Sequence, residues 1–157
     1  ERQPAGGADS LLGTPMHRAP LLDTAESVAE AFYDAMRQGD LAGMMALWST
    51  DDEVVCTHPG HERLVGLDAV RTSWESIFAG GGIDVQPIGA VVQAGGVLAV
   101  HNVVEQIMIT GPLGRQIVEC VVTNVYAKTS RGWRIVLHHG SPAGQTQAAA
   151  PSDAVLH

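Results

Sequence analysis

Apolar residues recur every three to four positions in three segments of the first half of the chain, a spacing that predicts helices with one buried face. Asp23 or Thr24 can cap the first helix, and Gly39 provides its C-terminal stop. Asp40 can cap a second, shorter helix, and a third is expected to begin at Gly66. The first half is therefore predicted to be mainly helical.

The pattern changes to that of β-strands in the second half. β-branched and apolar runs, separated by glycine-rich turns, predict four long antiparallel strands over 83–93, 97–109, 116–128 and 132–140. A shorter strand is predicted over 54–58, before Pro59. Helices followed by such strands predict an α+β domain whose three N-terminal helices pack on one face of a curved antiparallel sheet.

The two ends of the chain lack this patterning and are rich in small and turn-forming residues. We therefore expect an N-terminal arm over 1–22, a single domain over 23–142 and a C-terminal tail over 143–157, with the arms held by a partner subunit or a neighbouring molecule. The chain does not begin with Met, which leaves open whether an upstream segment was removed.

Composition narrows the choice of partners and location. A formal net charge of −8, with Lys128 the only lysine, argues against nucleic acid or an anionic membrane as a partner. Since no apolar run reaches the roughly 20 residues of a membrane span, we expect a cytoplasmic protein by default. Cys56 and Cys120 lie in apolar runs, which favours buried free thiols.

The turn at 130–131 sets the expected register of the last two strands. A two-residue or four-residue loop there places Asn124 opposite Leu137 and Val122 opposite His139. Because side chains alternate along a strand, this register assigns His139 to the same face as Asn124 and His138 to the other face.

The loop at 111–114 sets the register of the preceding hairpin, with His101 opposite Asn124 and Glu105 opposite Cys120. We expect the face that turns towards the helices to carry the larger apolar residues, together with several polar ones: His101, Glu105, Asn124, Tyr126, Trp133, Ile135, Leu137 and His139. The other face, expected to meet solvent or a second subunit, carries Asn102, Gln106, Glu119, Thr123, Arg134 and His138.

Imidazoles and carboxylates in apolar strands are costly to bury without partners, which favours a lined pocket. We take His139, Glu105 and His101 as candidate catalytic residues. His139 is the first choice, and burial near His101 would raise the pKa of Glu105 enough to suit a general base. Two alternatives stay open: His101 and Asn124 could orient a substrate or only satisfy each other, and Glu105 could lie solvated at the rim.

Candidate ligand contacts come from several elements. The Tyr33 hydroxyl could donate to a developing oxyanion, and Asn124 could orient a ligand. His58 could reach the cavity mouth, and Trp48 and Trp74 could either line the pocket or belong to the core. The histidines and Glu105 lack any short-range ligand spacing, so neither a metal nor another cofactor is expected.

Two segments carry a family resemblance. One runs over 46–78 and contains Ala-Leu-Trp-Ser, then Gly-Leu-Asp-Ala-Val with Trp74 and Phe78; the other is Gly-Trp-Arg-Ile-Val-Leu-His-His over 132–139, followed by Ser-Pro. Together they resemble the SnoaL-like branch of the nuclear-transport-factor-2-like (NTF2-like) superfamily, which also holds ketosteroid isomerases.

The resemblance implies a cone-shaped cavity between the sheet and the helices, and homodimers packed through the sheet. Isomerases of this superfamily use a carboxylate base and an acidic oxyanion donor; no matching pair is identified here, since Asp40 looks like a helix cap. We therefore expect a protein that binds a small apolar or aromatic ligand. If it is an enzyme, it would be a cofactor-free isomerase, cyclase or dehydratase; the alternative is a non-catalytic dimerisation or association module.

Overall fold

A computed structural model describes residues 22–143, so most of the predicted arm (1–22) and tail (143–157) lies outside the described residues. The first helix, α1, spans Ala25–Gln38. The Thr24 side chain accepts a hydrogen bond from the Ser27 backbone N–H, and the Ser27 side chain accepts one from the Thr24 backbone N–H. This capping box satisfies two N–H groups that the start of a helix leaves without partners. Thr24, one of the two expected residues, is therefore the cap.

Two glycines allow the chain to pass closely behind the end of α1. Gly39 ends the helix in a left-handed conformation (φ 63°), which glycine adopts without steric cost. Gly82 packs so tightly on the helix that an added Cβ would overlap the Arg37 carbonyl. Gly82 thus permits a close approach between two backbone segments.

The remaining short elements complete the N-terminal half. Asp40 caps α2 (Leu41–Met45), as expected, and its side chain accepts a hydrogen bond from the Gly43 N–H. The elements that follow α2 are β1 (Val55–Thr57), β2 (Arg63–Val65) and α3 (Leu67–Phe78). The strand β2 was not predicted from the sequence.

Four long strands build most of the sheet: β3 (Val85–Ala94), β4 (Leu98–Gly111), β5 (Gly114–Thr129) and β6 (Gly132–Pro142). The six strands are ordered β2-β1-β6-β5-β4-β3. All neighbours pair antiparallel except β1 and β6, which pair parallel. The predicted α+β fold is confirmed, and the one parallel pair is a departure from the purely antiparallel sheet that was expected.

The core fills the space between the helices and one face of the sheet, which we call the concave face. From the helices, Val28, Phe32 and Trp74 are almost completely buried against Val122 and Ile135 of the sheet. Burying each of these side chains contributes roughly 1.5–3 kcal/mol. Cys56 and Cys120 are buried free thiols, as predicted.

The opposite, convex face is not covered by any described element. There Asn102 donates to Thr123 and Gln106 donates to Glu119, each at 3.0 Å. The far end of the β4–β5 hairpin extends beyond the helices, and its tip residue Leu113 is 96% exposed. This surface therefore combines paired polar groups with exposed apolar ones.

Candidate functional site

A cavity of about 530 Å³ opens between α1 and the concave face of β3, β4 and β5. It is of the size that small-molecule sites have. β3 borders it with an irregular segment, where the register with β4 shifts between Ile88 and Val91. The cavity is lined by Ala29, Glu30, Tyr33, Asp34, Arg37, Pro87, Ile88, Gly89, Ala90, His101, Val103, Asn124 and Tyr126.

Tyr33 and Glu105 form a buried pair that joins α1 to β4. The Tyr33 hydroxyl donates a 3.0 Å hydrogen bond to Oε2 of Glu105, and Glu105 is only 3% exposed. Burial raises the pKa of Glu105 to about 7, although the hydrogen bond from Tyr33 lowers it in part. Burial, and then the nearby Glu105, strongly raise the pKa of Tyr33. Tyr33 lines the cavity and Glu105 does not, so this carboxyl reaches the cavity through Tyr33.

Three further polar side chains line the same cavity with a buried atom that has no hydrogen-bond partner in the protein. These atoms are Nε2 of His101, Nδ2 of Asn124 and the hydroxyl of Tyr126. Asn124 lies close enough to lower the pKa of Tyr126 against the larger effect of burial, yet forms no well-aligned bond with it. Leaving a buried polar atom unpaired costs about 1–3 kcal/mol, so three such atoms in the side chains around one cavity favour a ligand that pairs with them.

His101 lies on the wall of this cavity in the predicted register, opposite Asn124. Its ring packs edge-on against Tyr126, with centroids 4.8 Å apart, and its Nε2 is 3.9 Å from the Glu26 carboxylate. Burial lowers the pKa of His101, and Glu26 opposes this effect. His101 is therefore favoured as a neutral donor or acceptor.

The expected placement of His139 in the cavity is wrong. The structure places Thr123 opposite His139 and Asn124 opposite His138, so the predicted pairs with Val122 and Leu137 do not form. His139 is exposed, whereas His138, assigned from the sequence to the outer face, is 2% exposed. Nδ1 of His138 lies 2.6 Å from Oδ1 of Asn124.

A β-bulge in β6 causes His138 and His139 to exchange faces relative to the prediction. Tyr126 pairs with Ile135 as predicted, but Val125 pairs with Leu137, which leaves Val136 as an extra residue in β6. At this point the outer neighbour of β6 also changes: Ile135 bonds to Leu47 and Ser49, while Leu137 pairs with β1. The predicted register therefore holds near the turn and shifts by one residue beyond Val136.

The other predicted ligand contacts lie outside the main cavity. His58 borders a smaller cavity of about 260 Å³, where its Nε2 is 3.0 Å from the Ser73 hydroxyl. Trp48 and Trp74 are buried in the core, and Trp74 packs edge-on against His58. Of the candidate site residues, the cavity thus brings together Tyr33, His101, Glu105 (through Tyr33) and Asn124.

Sequence reasoning missed several residues of this site. Tyr126 was assigned to the correct face but not to the site, although its position two residues after Asn124 carried that signal. His138 could not be predicted as a site residue, because its place opposite Asn124 depends on the bulge at Val136. Glu30 and Arg37 at the rim belong to the outer side of α1, where charged residues are expected in any case.

Neither a metal centre nor a membrane span is indicated by residues 22–143. Within that range no three His, Cys, Asp or Glu side chains cluster as metal ligands would. No helix of the same range is long and apolar enough to cross a bilayer.

An α+β cone with a cavity beneath its curved sheet defines the class, which is that of the NTF2-like proteins. Residues 25–145 match the model of the SnoaL-like domain, and the chain belongs to that family. The predicted resemblance is confirmed. A search of curated proteins found no match.

Three solved structures show what the chain is similar to. A candidate calcium/calmodulin-dependent protein kinase type II association domain from Thiobacillus denitrificans is 35% identical (TM-score 0.67), over 80% of this chain and 99% of that one. A candidate NTF2-like dehydratase from Streptomyces avermitilis is 30% identical (TM-score 0.67; 74% and 91%). A candidate ketosteroid isomerase from Parabacteroides distasonis, 21% identical (TM-score 0.63; 76% and 88%), shares the fold.

Proposed function

We propose that this protein binds a small, uncharged and largely apolar molecule that carries a hydrogen-bond acceptor, and that it transfers a proton on that molecule without a cofactor. One observation carries the proposal: His101, Asn124 and Tyr126, each with an unpartnered buried atom, line the same cavity as Tyr33, which is bonded to Glu105. Buried hydrogen-bonding groups without partners, next to a carboxyl whose pKa is near neutrality, are typical of sites for acid–base chemistry.

The rim of the cavity supports an uncharged ligand. Glu30 and Asp34 lie at the rim; among the described residues that line the cavity, Arg37 is the only cationic one, and it is already engaged. Arg37 donates to Asp34 and to the Val85 carbonyl, each at 3.1 Å. An anionic ligand would meet uncompensated negative charge there, which opposes its binding.

For a ketone ligand the proton transfer takes a simple form. A C–H bond next to the carbonyl breaks, and its electron pair moves into an enolate whose charge lies mainly on oxygen. Tyr33 takes this proton as its own hydroxyl proton passes to the Glu105 carboxylate, and the reverse steps return a proton to carbon. The Asn124 amide and the Tyr126 hydroxyl donate to the enolate oxygen.

The relatives support this proposal at different levels. The Streptomyces protein named as a dehydratase is 30% identical, and removing water from a small molecule also needs acid–base groups. The isomerase-like structure, at 21% identity, supports the fold only. The charge and polarity of the cavity's own side chains therefore set the substrate class.

The test uses 2-tetralone, an uncharged bicyclic ketone, in D₂O, with mass spectrometry of deuterium at its α-carbon. The protein should accelerate exchange, and the rate should rise with pH through about 7, because the carboxylate form of Glu105 is the acceptor. Glu105→Gln should lower the catalysed rate about a hundredfold or more. The matched control Glu119→Gln, on the convex face, should stay within about twofold. No acceleration by the wild type, or equal losses in both variants, would refute the proposal.

Association through the sheet is the second candidate function. It is favoured by apolar side chains exposed around the sheet, Ile117 among them at 58%, and by the relative named as an association domain. In this case the chain forms a homodimer or larger assembly. Light scattering after size-exclusion chromatography should then show an assembly that Ile117→Arg weakens, whereas a monomer at all concentrations would exclude it.

A further inference from the structure

His138 and Asn124 form a hydrogen-bonded pair that is buried from solvent. Nδ1 of His138 is 2.6 Å from Oδ1 of Asn124, and both residues are at most 2% exposed. Phe32 and Trp74 pack around the imidazole, with ring centroids 5.4 and 6.1 Å from it. The pair therefore lies in the wall of the cavity, with His138 on the core side and Asn124 on the cavity side.

The contact decides which end of the Asn124 amide faces the cavity. An asparagine side chain has an oxygen that only accepts and an NH₂ group that only donates. With the oxygen held by His138, the NH₂ group lies near the hydroxyls of Tyr33 and Tyr126 but forms no well-aligned hydrogen bond with either. This arrangement requires the Nδ1–H form of the imidazole, since an unprotonated Nδ1 would instead attract the NH₂ group.

The ring can act in this way while uncharged. Burial, with smaller contributions from the nearby His58 and His139, lowers the pKa of His138 to about 3. The imidazole therefore stays neutral at physiological pH, and its tautomer is set by the partner it meets.

We propose that His138 is a positioning residue that fixes the Asn124 amide with its NH₂ group towards the cavity, so that the site selects ligands presenting an acceptor oxygen. The selectivity rests on the proposed function, because it needs a ligand in the cavity; the orientation does not. The bulge at Val136 is the feature that brings His138, and not His139, behind Asn124.

The orientation is tested on the ligand-free wild-type protein by ¹⁵N NMR of the histidine side chains. His138 should be neutral, protonated at Nδ1, and its Nδ1–H should be protected from exchange with water. Protonation at Nε2 instead would overturn the proposal, whatever the protein binds.

The selectivity is tested by comparing the affinities of 2-tetralone and of tetralin, which lacks the oxygen. The wild type should prefer the ketone about tenfold, and His138→Leu, which removes the donor, should reduce this preference to within about twofold. His138→Gln keeps an N–H donor and should retain most of it, and the exposed His139→Gln should leave it unchanged. A preference that survives His138→Leu would overturn the selectivity.

Failure of the proposed function gives a different result. If the wild type binds neither compound, the small-molecule function is refuted and the selectivity falls with it. The NMR measurement still decides the orientation of Asn124 in that case.

Discussion

Two neighbouring cross-strand pairs on β4 and β5 use their polar side chains in opposite ways. On the convex face, Asn102 lies opposite Thr123, and the two side chains bond to each other at 3.0 Å. On the concave face, one residue away, His101 lies opposite Asn124, but each keeps a buried atom without a partner. Register and residue type would allow both pairs to bond, so the difference lies in what surrounds them.

The same contrast recurs four residues further along each of these strands. Gln106 on the convex face bonds to Glu119 across the ladder, whereas Glu105 on the concave face bonds to Tyr33 of α1. These two polar pairs of the convex face are thus satisfied within the sheet. On the concave face, Glu105 bonds to the helix and the Asn124 oxygen bonds to His138, while His101, Asn124 and Tyr126 each keep one unpaired atom, at a cost to stability that a ligand would offset.

The largest expected effect is on the pH dependence of stability. It concerns His138, a residue of the concave face that was predicted to lie on the convex face. Its pKa is about 3 in the folded protein and near 6.5 when unfolded, so its contribution to stability is present above pH 6.5 and is lost as the pH falls towards 3. Relative to wild type, His138→Gln should lose less stability over this window, by on the order of 5 kcal/mol. Urea unfolding at several pH values measures this difference. Parallel curves would show that His138 is not buried in the neutral form.

Glu105 should act in the opposite direction and slightly more weakly. Because burial raises its pKa from 4.5 to about 7, the folded state holds this proton more tightly, and stability is lost as the pH rises from about 4.5 to 7. Glu105→Gln should remove this loss, which is about 3 kcal/mol, as measured by unfolding at pH 5 and pH 8. Tyr33, Tyr126 and Cys120 face the same carboxyl but stay protonated in this range, since their pKa values are raised.

Tyr126→Phe separates stability from function. The variant removes a buried hydroxyl that has no partner, so we expect it to be more stable than wild type by about 1 kcal/mol. It should also bind 2-tetralone less tightly, since the hydroxyl is one of the donors to the ligand oxygen. Loss of stability in thermal unfolding would indicate that the hydroxyl has a partner in the folded protein.

The smallest effect is expected on the convex face. Thr123→Val removes the partner of Asn102 at a partly exposed position and should cost roughly 0.5–1 kcal/mol. Affinity for 2-tetralone should not change. A fall in affinity comparable to that of Tyr126→Phe would mean that the two faces of the sheet do not differ in function.

Much of the fold follows from local chemistry in the sequence. The cap at Thr24 and the stop at Gly39 set the bounds of α1, and the turn residues at 111–114 set the β4–β5 register, which was predicted correctly. That register alone placed His101, Glu105 and Asn124 on one face. Local signals sufficed here because each of these features depends on residues a few positions apart.

The remaining features depend on distant partners. The bulge at Val136 coincides with the change of neighbour along β6, from residues 47–49 to β1, which no local pattern encodes. β2 has only three residues and is defined by its pairing with β1. Likewise, Tyr33 and Glu105 are 72 positions apart, so their contact required the packing of α1 on the sheet.

A titration of ¹⁵N-labelled protein with 2-tetralone, followed by two-dimensional NMR, tests most directly whether the concave polar groups serve a ligand. The side-chain signals of Asn124 and His101 should shift in a saturable way, while those of Asn102 and Gln106, on the other face of the same strand pair, should stay in place. Equal shifts on both faces, or none on the concave face at saturating ketone, would contradict the account.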